Sequence, residues 1–378
     1  MRSASAEDRT MSQPNRRTAL AMLAAGMAGS GLSVMAATSA PPGRTLSRGI
    51  NVPDWTKLVD GRAPASSVLS ALAERGFNTI RLRVNSDDWV GDASRRRLAA
   101  QLVENALDMS VRAGFSVMLE FHADTGLRNA FVADLTQAEA DTTAAWTELS
   151  QVAASFSPDS VMPELLNEPP LERQHWLPLR DRLAETVRKA CPGHTLIWGA
   201  DSVYGIWETI DCRPLADDNC MVAVHYYTPM GFTHQCADWD NSGLALMANL
   251  PFPANRRSPE ALALAEKFRS EGQTNALALL EQEFSSDWTV ARIEADFAEL
   301  GNWSRETGTP IVVNEFGVLN SCVDAQSRAT WTRAVRQAIE GIDAGWAYWE
   351  LDQGFGLLDN RNSASGFDAS VVAALMEN

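Results

Sequence analysis

Eight short runs of apolar or β-branched residues alternate with longer segments of helical periodicity along this chain. Such alternation is typical of a parallel sheet covered by helices. Eight units favour a closed (β/α)8 barrel of the α/β class, a TIM barrel, in which the loops after the strands build the active site. An open doubly wound sheet is the alternative, but no GxGxxG motif follows the first run. The predicted strands cover residues 48–51, 79–84, 116–122, 161–168, 195–200, 221–227, 310–315 and 346–350.

The connection after the sixth strand is much longer than the others. Residues 228–258 are rich in Pro, Asn and aromatic residues with little periodicity, and a helical insert continues to about residue 307. Long connections within a compact domain usually carry function. No linker or internal repeat follows residue 43, so we predict a single domain over residues 41–378 with an enlarged loop region after the sixth strand.

The first forty residues resemble an export signal. Arg16 and Arg17 precede a stretch of Ala, Gly, Leu and Met over residues 19–37, after which the chain turns polar and rich in Pro. This order predicts a signal peptide over residues 1–40. The paired arginines resemble a twin-arginine signal, but Ala19 stands where Phe is usual, so the general secretory route stays open, as does a single membrane anchor. We expect a secreted or periplasmic protein that leaves the membrane after cleavage.

The charge balance limits the partners of this protein. Its 378 residues include 48 Asp and Glu against 32 Lys and Arg, a formal net charge of -16, and its 12 Trp argue against a disordered acidic chain. Nucleic acids and anionic lipids require a basic surface. We therefore expect a neutral or weakly charged ligand, no nucleic acid, and a monomer.

The five cysteines allow two disulfides in an oxidising compartment. Cys212 and Cys220 are close in sequence, and Cys236 and Cys322 each follow a predicted strand, so these are the expected pairs and Cys191 stays free. No CxxC motif or Cys/His cluster has the spacing of a zinc site. We predict no metal site, and no residue pattern implies an organic cofactor.

Two glutamates stand where apolar strands meet their carboxyl-terminal loops. Glu168 follows the fourth strand within Asn167-Glu168-Pro169, and Glu315 ends the seventh within residues 314–317, read as NEFG. That end of a barrel is its catalytic face, and burying a Glu is costly unless it is paired or functional. The two carboxylates are the predicted catalytic pair; structural carboxylates held by nearby Arg are the alternative.

The chain resembles glycoside hydrolase family 5, a cellulase-type family of (β/α)8 barrels, from about residue 49 to its end. The NEP and NEFG segments match the two glutamate motifs of that family. The other matches, in chain order, are Arg81 in the second strand, His122 after the third with Glu120 in place of the usual Asp, His225 and Tyr227 as His-x-Tyr after the sixth, and Trp349 after the eighth.

The resemblance implies a retaining mechanism for hydrolysis of a glycosidic bond. Glu315 would be the nucleophile and Glu168 the acid and then the base. Arg81 would keep Glu315 ionised, and Tyr227 could donate a hydrogen bond to it. The nearby charge of Glu315 is expected to raise the pKa of Glu168.

The remaining matches are expected to contact the substrate. Asn167 could bind a sugar 2-hydroxyl, and His122 and His225 would bind hydroxyls or position the acid. Trp349 would stack on the sugar at the cleavage point. The resemblance also implies a cis peptide bond between Trp349 and Glu350.

Further aromatic residues lie in predicted loops on the catalytic face, where they could stack on sugar rings or pack in small cores of the loops. Trp239 and His234 are the best candidates for added substrate contacts. The other candidates are Trp55, Tyr204, Trp207 and Phe232.

These expectations describe a retaining, endo-acting β-glycoside hydrolase that cleaves a polysaccharide or oligosaccharide, and a β-1,4-glucan is the favoured substrate. Exo-acting cleavage, β-1,3-glucan and β-mannan stay open, since the shared motifs build only the cleavage subsite. A non-catalytic carbohydrate-binding barrel is the alternative of a different class, and the presence of both Glu168 and Glu315 argues against it.

Overall fold

A closed parallel barrel of eight strands forms the centre of the computed structural model, which describes residues 46–91, 93–239 and 242–377. Each strand pairs with the next in sequence, and β8 closes the barrel against β1. The predicted (β/α)8 TIM barrel is confirmed. The strands are β1 Arg48–Val52, β2 Thr79–Asn85, β3 Ser116–His122, β4 Val161–Asn167, β5 Leu196–Gly199, β6 Cys220–Tyr226, β7 Ile311–Phe316 and β8 Gly345–Tyr348.

Helices cover the outside of the barrel and bury one face each. In the helix after β7, Trp331, Val335 and Ile339 recur every four residues and are fully buried, and the Asp324 side chain caps its first turn. The helices are α1 Ser66–Glu74, α2 Ala93–Arg112, α3 Thr125–Ala133, α4 Leu135–Ala154, α5 Arg173–Ala190, α6 Ile206–Ile210, α7 Met230–Thr233, α8 Pro259–Glu271, α9 Thr274–Glu283, α10 Val290–Thr307, α11 Ala325–Glu340 and α12 Ala369–Met376.

The region between β6 and the barrel helix α10 is enlarged, as predicted, and contains α7, α8 and α9. A disulfide between Cys236 and Cys322 ties it to the loop after β7. Two backbone hydrogen bonds join the same loops, from Asn249 N to Cys322 O at 3.0 Å and from Leu319 N to Thr233 O at 2.8 Å. We call residues 228–289 the insert; its first part is therefore fixed beside β7, the strand that contains Glu315.

The expected Cys212–Cys220 disulfide is wrong. Both cysteines are buried free thiols, and Cys191 is free as expected. Cys220 Sγ contacts the Asp217 carbonyl at 3.1 Å, whereas Cys212 Sγ lies 3.8 Å from the Arg180 guanidinium. Different neighbours thus surround the two sulfur atoms although the residues are close in sequence.

The strands that carry the two glutamates each contain one extra residue. In the β3–β4 pairing Glu120 lies opposite Glu164 but His122 lies opposite Asn167, and in the β6–β7 pairing Val224 lies opposite Val313 but His225 opposite Glu315. Such bulges change the direction of the side chains that follow them. The two bulges place Asn167, the residue before Glu168, opposite His122 and place Glu315 opposite His225.

The predicted signal peptide, residues 1–40, lies outside the described residues. Among the helices that the structure describes, none has the length and apolar character needed to cross a membrane.

Candidate active site

Arg81 forms the floor of the site inside the barrel. Its guanidinium is fully buried and donates to both oxygens of Glu164, at 2.8 and 2.7 Å, and to Glu315 Oε1 at 2.5 Å. It also donates to Asn51 Oδ1 and Asn167 Oδ1, at 3.1 and 2.6 Å. Burial acts to lower the pKa of Arg81, but the surrounding carboxylates outweigh it and raise the pKa well above its usual value.

Both oxygens of Glu315 accept hydrogen bonds. Arg81 donates to Oε1, and the Tyr227 hydroxyl donates to Oε2 at 2.9 Å. Burial and the charge of Glu315 raise the pKa of Tyr227 well above its usual value, so the phenol keeps the proton that it donates. The two donors therefore fix the orientation of the Glu315 carboxyl group.

Glu168 lies just beyond β4 and shares a proton with His225. His225 Nδ1 is 2.8 Å from Glu168 Oε1, and its Nε2 is 3.6 Å from Glu315 Oε1. Burial acts to raise the pKa of Glu168, but the hydrogen bond and charge of His225 lower it below its usual value. Burial acts to lower the pKa of His225, but Glu315 and Glu168 raise it. The expected upward shift for Glu168 is wrong, because His225 lies between the two carboxylates.

His122 is oriented by Glu120. Its Nδ1 lies 3.0 Å from Glu120 Oε1, and the Glu120 side chain is fully buried. Burial raises the pKa of Glu120 to about 7 against the opposing charge of Arg81. Burial, with the charge of Arg83, lowers the pKa of His122 to about 3, so its ring is neutral near pH 7.

These side chains surround a cleft of about 950 Å³ at the carboxyl ends of the strands. Nine of the ten predicted site residues line it; Arg81 is the tenth and lies beneath Glu315. Trp349 lines the cleft and is joined to Glu350 by the expected cis peptide bond. A Cβ at Gly317 would overlap the Trp349 carbonyl oxygen, which explains the glycine that ends NEFG.

The rim of the cleft exposes aromatic surface. Trp207 is 54% exposed and Trp239 is 60% exposed, and both line the cleft. The rings of Tyr227, His234 and Trp239 follow one another at centroid distances of 5.0 and 5.7 Å. An aromatic path therefore leads from the nucleophile candidate to the rim of the insert.

The other three candidates for the aromatic cleft are buried. Trp55 is 6% exposed, Phe232 packs against Phe252 at a centroid distance of 5.7 Å, and Tyr204 donates its hydroxyl hydrogen bond to the Leu166 carbonyl. They stabilise the loops and the end of β4 and present no stacking surface to a ligand.

The sequence of this chain matches the family model "Cellulase (glycosyl hydrolase family 5)" over residues 39–354. That match covers most of the chain and every residue of the site. The chain belongs to glycosyl hydrolase family 5. The family predicted from the motifs is thus confirmed.

The following relatives of this family 5 chain share less than a quarter of its residues in the matched regions. Endoglucanase 3 of Fibrobacter succinogenes is 22% identical over 86% of this chain, which spans about half of that protein, 52% of its length. Endoglucanase C of Acetivibrio thermocellus is 23% identical over 74% of this chain and 82% of its own length. A hyperthermophilic endo-β-1,4-glucanase crystallised with substrate superposes with a TM-score of 0.67 at 21% identity, covering 87% of this chain and 96% of that one.

Three residues of this family 5 site were missed in the sequence. Glu164 and Asn51 bind the guanidinium of Arg81, and Arg128 lines the cleft beside Glu168. Glu164 gave a signal, because it is a charged residue within the otherwise apolar strand VMPELLN. Asn51 and Arg128 gave none, since polar residues are common at strand ends and on helices.

One group of side chains has the composition of a metal site. Single ligand atoms of Glu168, His225 and Glu315 all lie within 4.8 Å of one another. However, His225 Nδ1 is engaged by Glu168, and the Arg81 cation lies against Glu315. These contacts fit a network for proton transfer better than coordination of a second cation.

Proposed function

We propose that this protein is a retaining β-glycoside hydrolase that cleaves internal bonds of a β-1,4-glucan. One observation carries the proposal: an oxygen of Glu168 and an oxygen of Glu315 lie within 4.8 Å of each other at the floor of an open cleft. Retaining glycosidases have carboxyl groups roughly 5 to 5.5 Å apart, whereas inverting enzymes need about 6.5 to 9.5 Å to admit a water molecule.

In the first step, Glu315 attacks the anomeric carbon and forms a covalent glycosyl ester. Arg81 and Tyr227 donate hydrogen bonds to its two oxygens, so the attacking group is preorganised. Glu168 gives a proton to the departing oxygen, and His225 Nδ1, which lies 2.8 Å from Glu168 Oε1 and belongs to a ring whose pKa is raised, can supply that proton. In the second step, Glu168 takes a proton from water, and the resulting hydroxide releases the sugar from Glu315.

The cleft supports action on a polymer. It is open, and Trp207 and Trp239 expose ring surface along it, on which the apolar faces of sugars stack. The relatives named endoglucanases, and the fold similarity to an endo-β-1,4-glucanase, support the linkage and the internal mode of cleavage. The ligand is a neutral polysaccharide or oligosaccharide.

A panel of substrates tests the activity and the linkage. The protein is assayed on carboxymethylcellulose, cello-oligosaccharides, β-1,3-glucan, β-mannan and aryl β-glycosides. We expect turnover of the β-1,4-glucans first. Preferred hydrolysis of mannan or β-1,3-glucan would reassign the substrate, and binding without turnover of any β-glycoside would mean a carbohydrate-binding barrel.

Variants test the two carboxylates. Glu315→Gln and Glu168→Gln should each lower kcat by at least ~100-fold, because one removes the nucleophile and the other the acid. Glu294→Gln, on the exposed face of α10, is the matched control and should retain full activity. Full activity of Glu315→Gln would contradict the site assignment.

The products test the stereochemistry and the mode of cleavage. Proton NMR of the earliest product should show the β-anomer, as double displacement requires. The viscosity of carboxymethylcellulose should fall before many reducing ends appear. An early α-anomer would exclude the retaining mechanism, and a slow fall in viscosity would indicate exo-action.

We infer that the protein is exported and that residues 1–40 are removed. The Arg16-Arg17 pair, the apolar stretch after it and the Cys236–Cys322 disulfide support export, since disulfides persist in oxidising compartments. Amino-terminal sequencing of the extracellular or periplasmic protein should begin near residue 41. An intact amino terminus on a cytoplasmic protein would contradict the inference.

A further inference from the structure

The candidate acid, Glu168, lies on a strained turn. Its backbone φ is +40°, in the left-handed region that non-glycine residues rarely adopt. Pro169 and Pro170 follow it, and neither has a backbone N–H with which to stabilise the turn. Contacts from other parts of the chain must therefore maintain this conformation.

One of these contacts is the guanidinium of Arg128. Its Nη2 donates to the Glu168 carbonyl at 3.4 Å, and its Nε donates to the Ala123 carbonyl at 2.7 Å. Arg128 lies in the first turn of α3, and Ala123 directly follows His122 at the end of β3. The side chain thus joins the loop after β3 to the turn that carries the acid.

The surroundings of Arg128 differ from those of the other two arginines that line the cleft. Arg83 lies 2.5 Å from the carboxylate of an aspartate, and Arg292 lies 3.0 Å from that of another. Within the part of the chain that the structure describes, Arg128 has no carboxylate within 4.0 Å. Its charge is among those that favour the ionised form of Glu168.

We propose that Arg128 is a positioning residue for the acid: by binding the Glu168 and Ala123 carbonyls together, it fixes the turn at the end of β4 and so the direction of the Glu168 carboxyl. The proposal rests on the proposed function of Glu168. Arg128 acts through Glu168, so its removal should affect only steps that need a well-placed proton.

Leaving-group chemistry tests this proposal. Dinitrophenyl β-cellobioside releases an anion that needs no proton, whereas phenyl β-cellobioside needs one. For Arg128→Gln, kcat/KM, which reports the first step, should fall on the order of 10-fold to 100-fold on the phenyl substrate and less than about threefold on the dinitrophenyl substrate. Arg112→Gln, on an exposed part of α2, should change neither. Added guanidinium should partly restore cleavage of the phenyl substrate by the Gln variant.

The pH profile gives a second measurement. Removal of the Arg128 charge should move the basic limb of kcat/KM to higher pH, because the ionised form of Glu168 loses a favourable neighbour. Equal losses on both substrates, or no loss on either, would overturn the positioning role. Glu168→Gln is measured alongside: if it shows no leaving-group dependence, the assignment of the acid fails rather than the role of Arg128.

Discussion

The floor and the rim of the cleft are built differently. At the floor, the buried Arg81 donates hydrogen bonds to two buried carboxylates on other strands, Glu164 and Glu315. At the rim, Trp207 and Trp239 expose more than half of their surface, and Trp239 belongs to the insert, which a disulfide joins to the neighbouring loop. Buried ion pairs between strands thus hold the floor, whereas the rim consists of exposed side chains on loops and short helices.

The largest expected effect comes from removing the buried ion-pair partner of Arg81 at the floor of the cleft. Glu164→Ala should lower the free energy of unfolding by about 3 to 5 kcal/mol, because it leaves the buried Arg81 charge without its bidentate partner. Glu148→Gln, which removes a surface pair with Arg96, is the control and should cost less than about 1 kcal/mol. Urea denaturation of both variants measures these changes. Equally small decreases in the free energy of unfolding would show that the floor does not depend on the Arg81–Glu164 ion pair.

Removing the Cys236–Cys322 disulfide should affect the rim of the cleft more than the floor. Cys236→Ser combined with Cys322→Ser should cost about 2 to 4 kcal/mol of stability. KM for the polymer should rise while kcat on an aryl cellobioside changes little. Thiol titration of the unfolded, unreduced protein should find three free thiols, Cys191, Cys212 and Cys220; a single free thiol would restore the pairing rejected above.

Titration of Glu120 sharpens the description of the floor. Its pKa is raised from the ordinary 4.5 to about 7 by burial, so its contribution to stability is fully present below pH 4.5 and is lost as the pH rises through 7. Between these values the wild type should lose up to about 3 kcal/mol relative to Glu120→Gln. Chemical denaturation of both proteins from pH 4 to 8 measures the difference in the free energy of unfolding. If that free energy changes with pH in the same way for both proteins, the raised pKa of Glu120 is refuted.

The smallest effect is expected at the rim. Trp239→Ala should lower kcat/KM on long cello-oligosaccharides by about 10-fold and on aryl cellobiosides by less, because the loss of a stacking contact is worth about 1 kcal/mol or slightly more. Leu262→Ala removes an exposed apolar residue of α8 outside the cleft and is the matched control. Equal losses on short and long substrates would place Trp239 in the chemistry instead of in polymer binding.

The barrel and its carboxylates could be predicted because their signals are local. Strand and helix periods alternate along the chain, and Glu168 and Glu315 each end an apolar run. The role of Glu164 could not be predicted, since its partner Arg81 is 83 residues away and the pair forms only when β2 and β4 face the same interior. Arg128 was missed for a similar reason: the carbonyl that it binds belongs to another loop.

Two predictions were wrong because they used only the nearness of two residues. Nearness in sequence was taken to indicate a disulfide, and nearness in space was taken to determine a pKa shift. Cys212 and Cys220 are close along the chain, yet their sulfur atoms have different neighbours. The shift at Glu168 was predicted from Glu315 alone, whereas His225 lies between the carboxylates and reverses its direction. The direction of the Glu168 shift depends on a third group, His225, which an argument from the two glutamates alone leaves out.

The bulges in β4 and β7 make the site depend on the number of residues as well as on their kinds. Deleting Asn314, the extra residue of β7, would restore regular pairing with Glu315 still opposite His225, but it would remove the carbonyl that accepts a hydrogen bond from the Asn51 side chain. In β4 the extra residue lies between Glu164 and Asn167, and its deletion would likewise keep Asn167 opposite His122. A one-residue deletion at either bulge would therefore alter the backbone beside Glu168 or Glu315 even where both glutamates are still present and the barrel still closes.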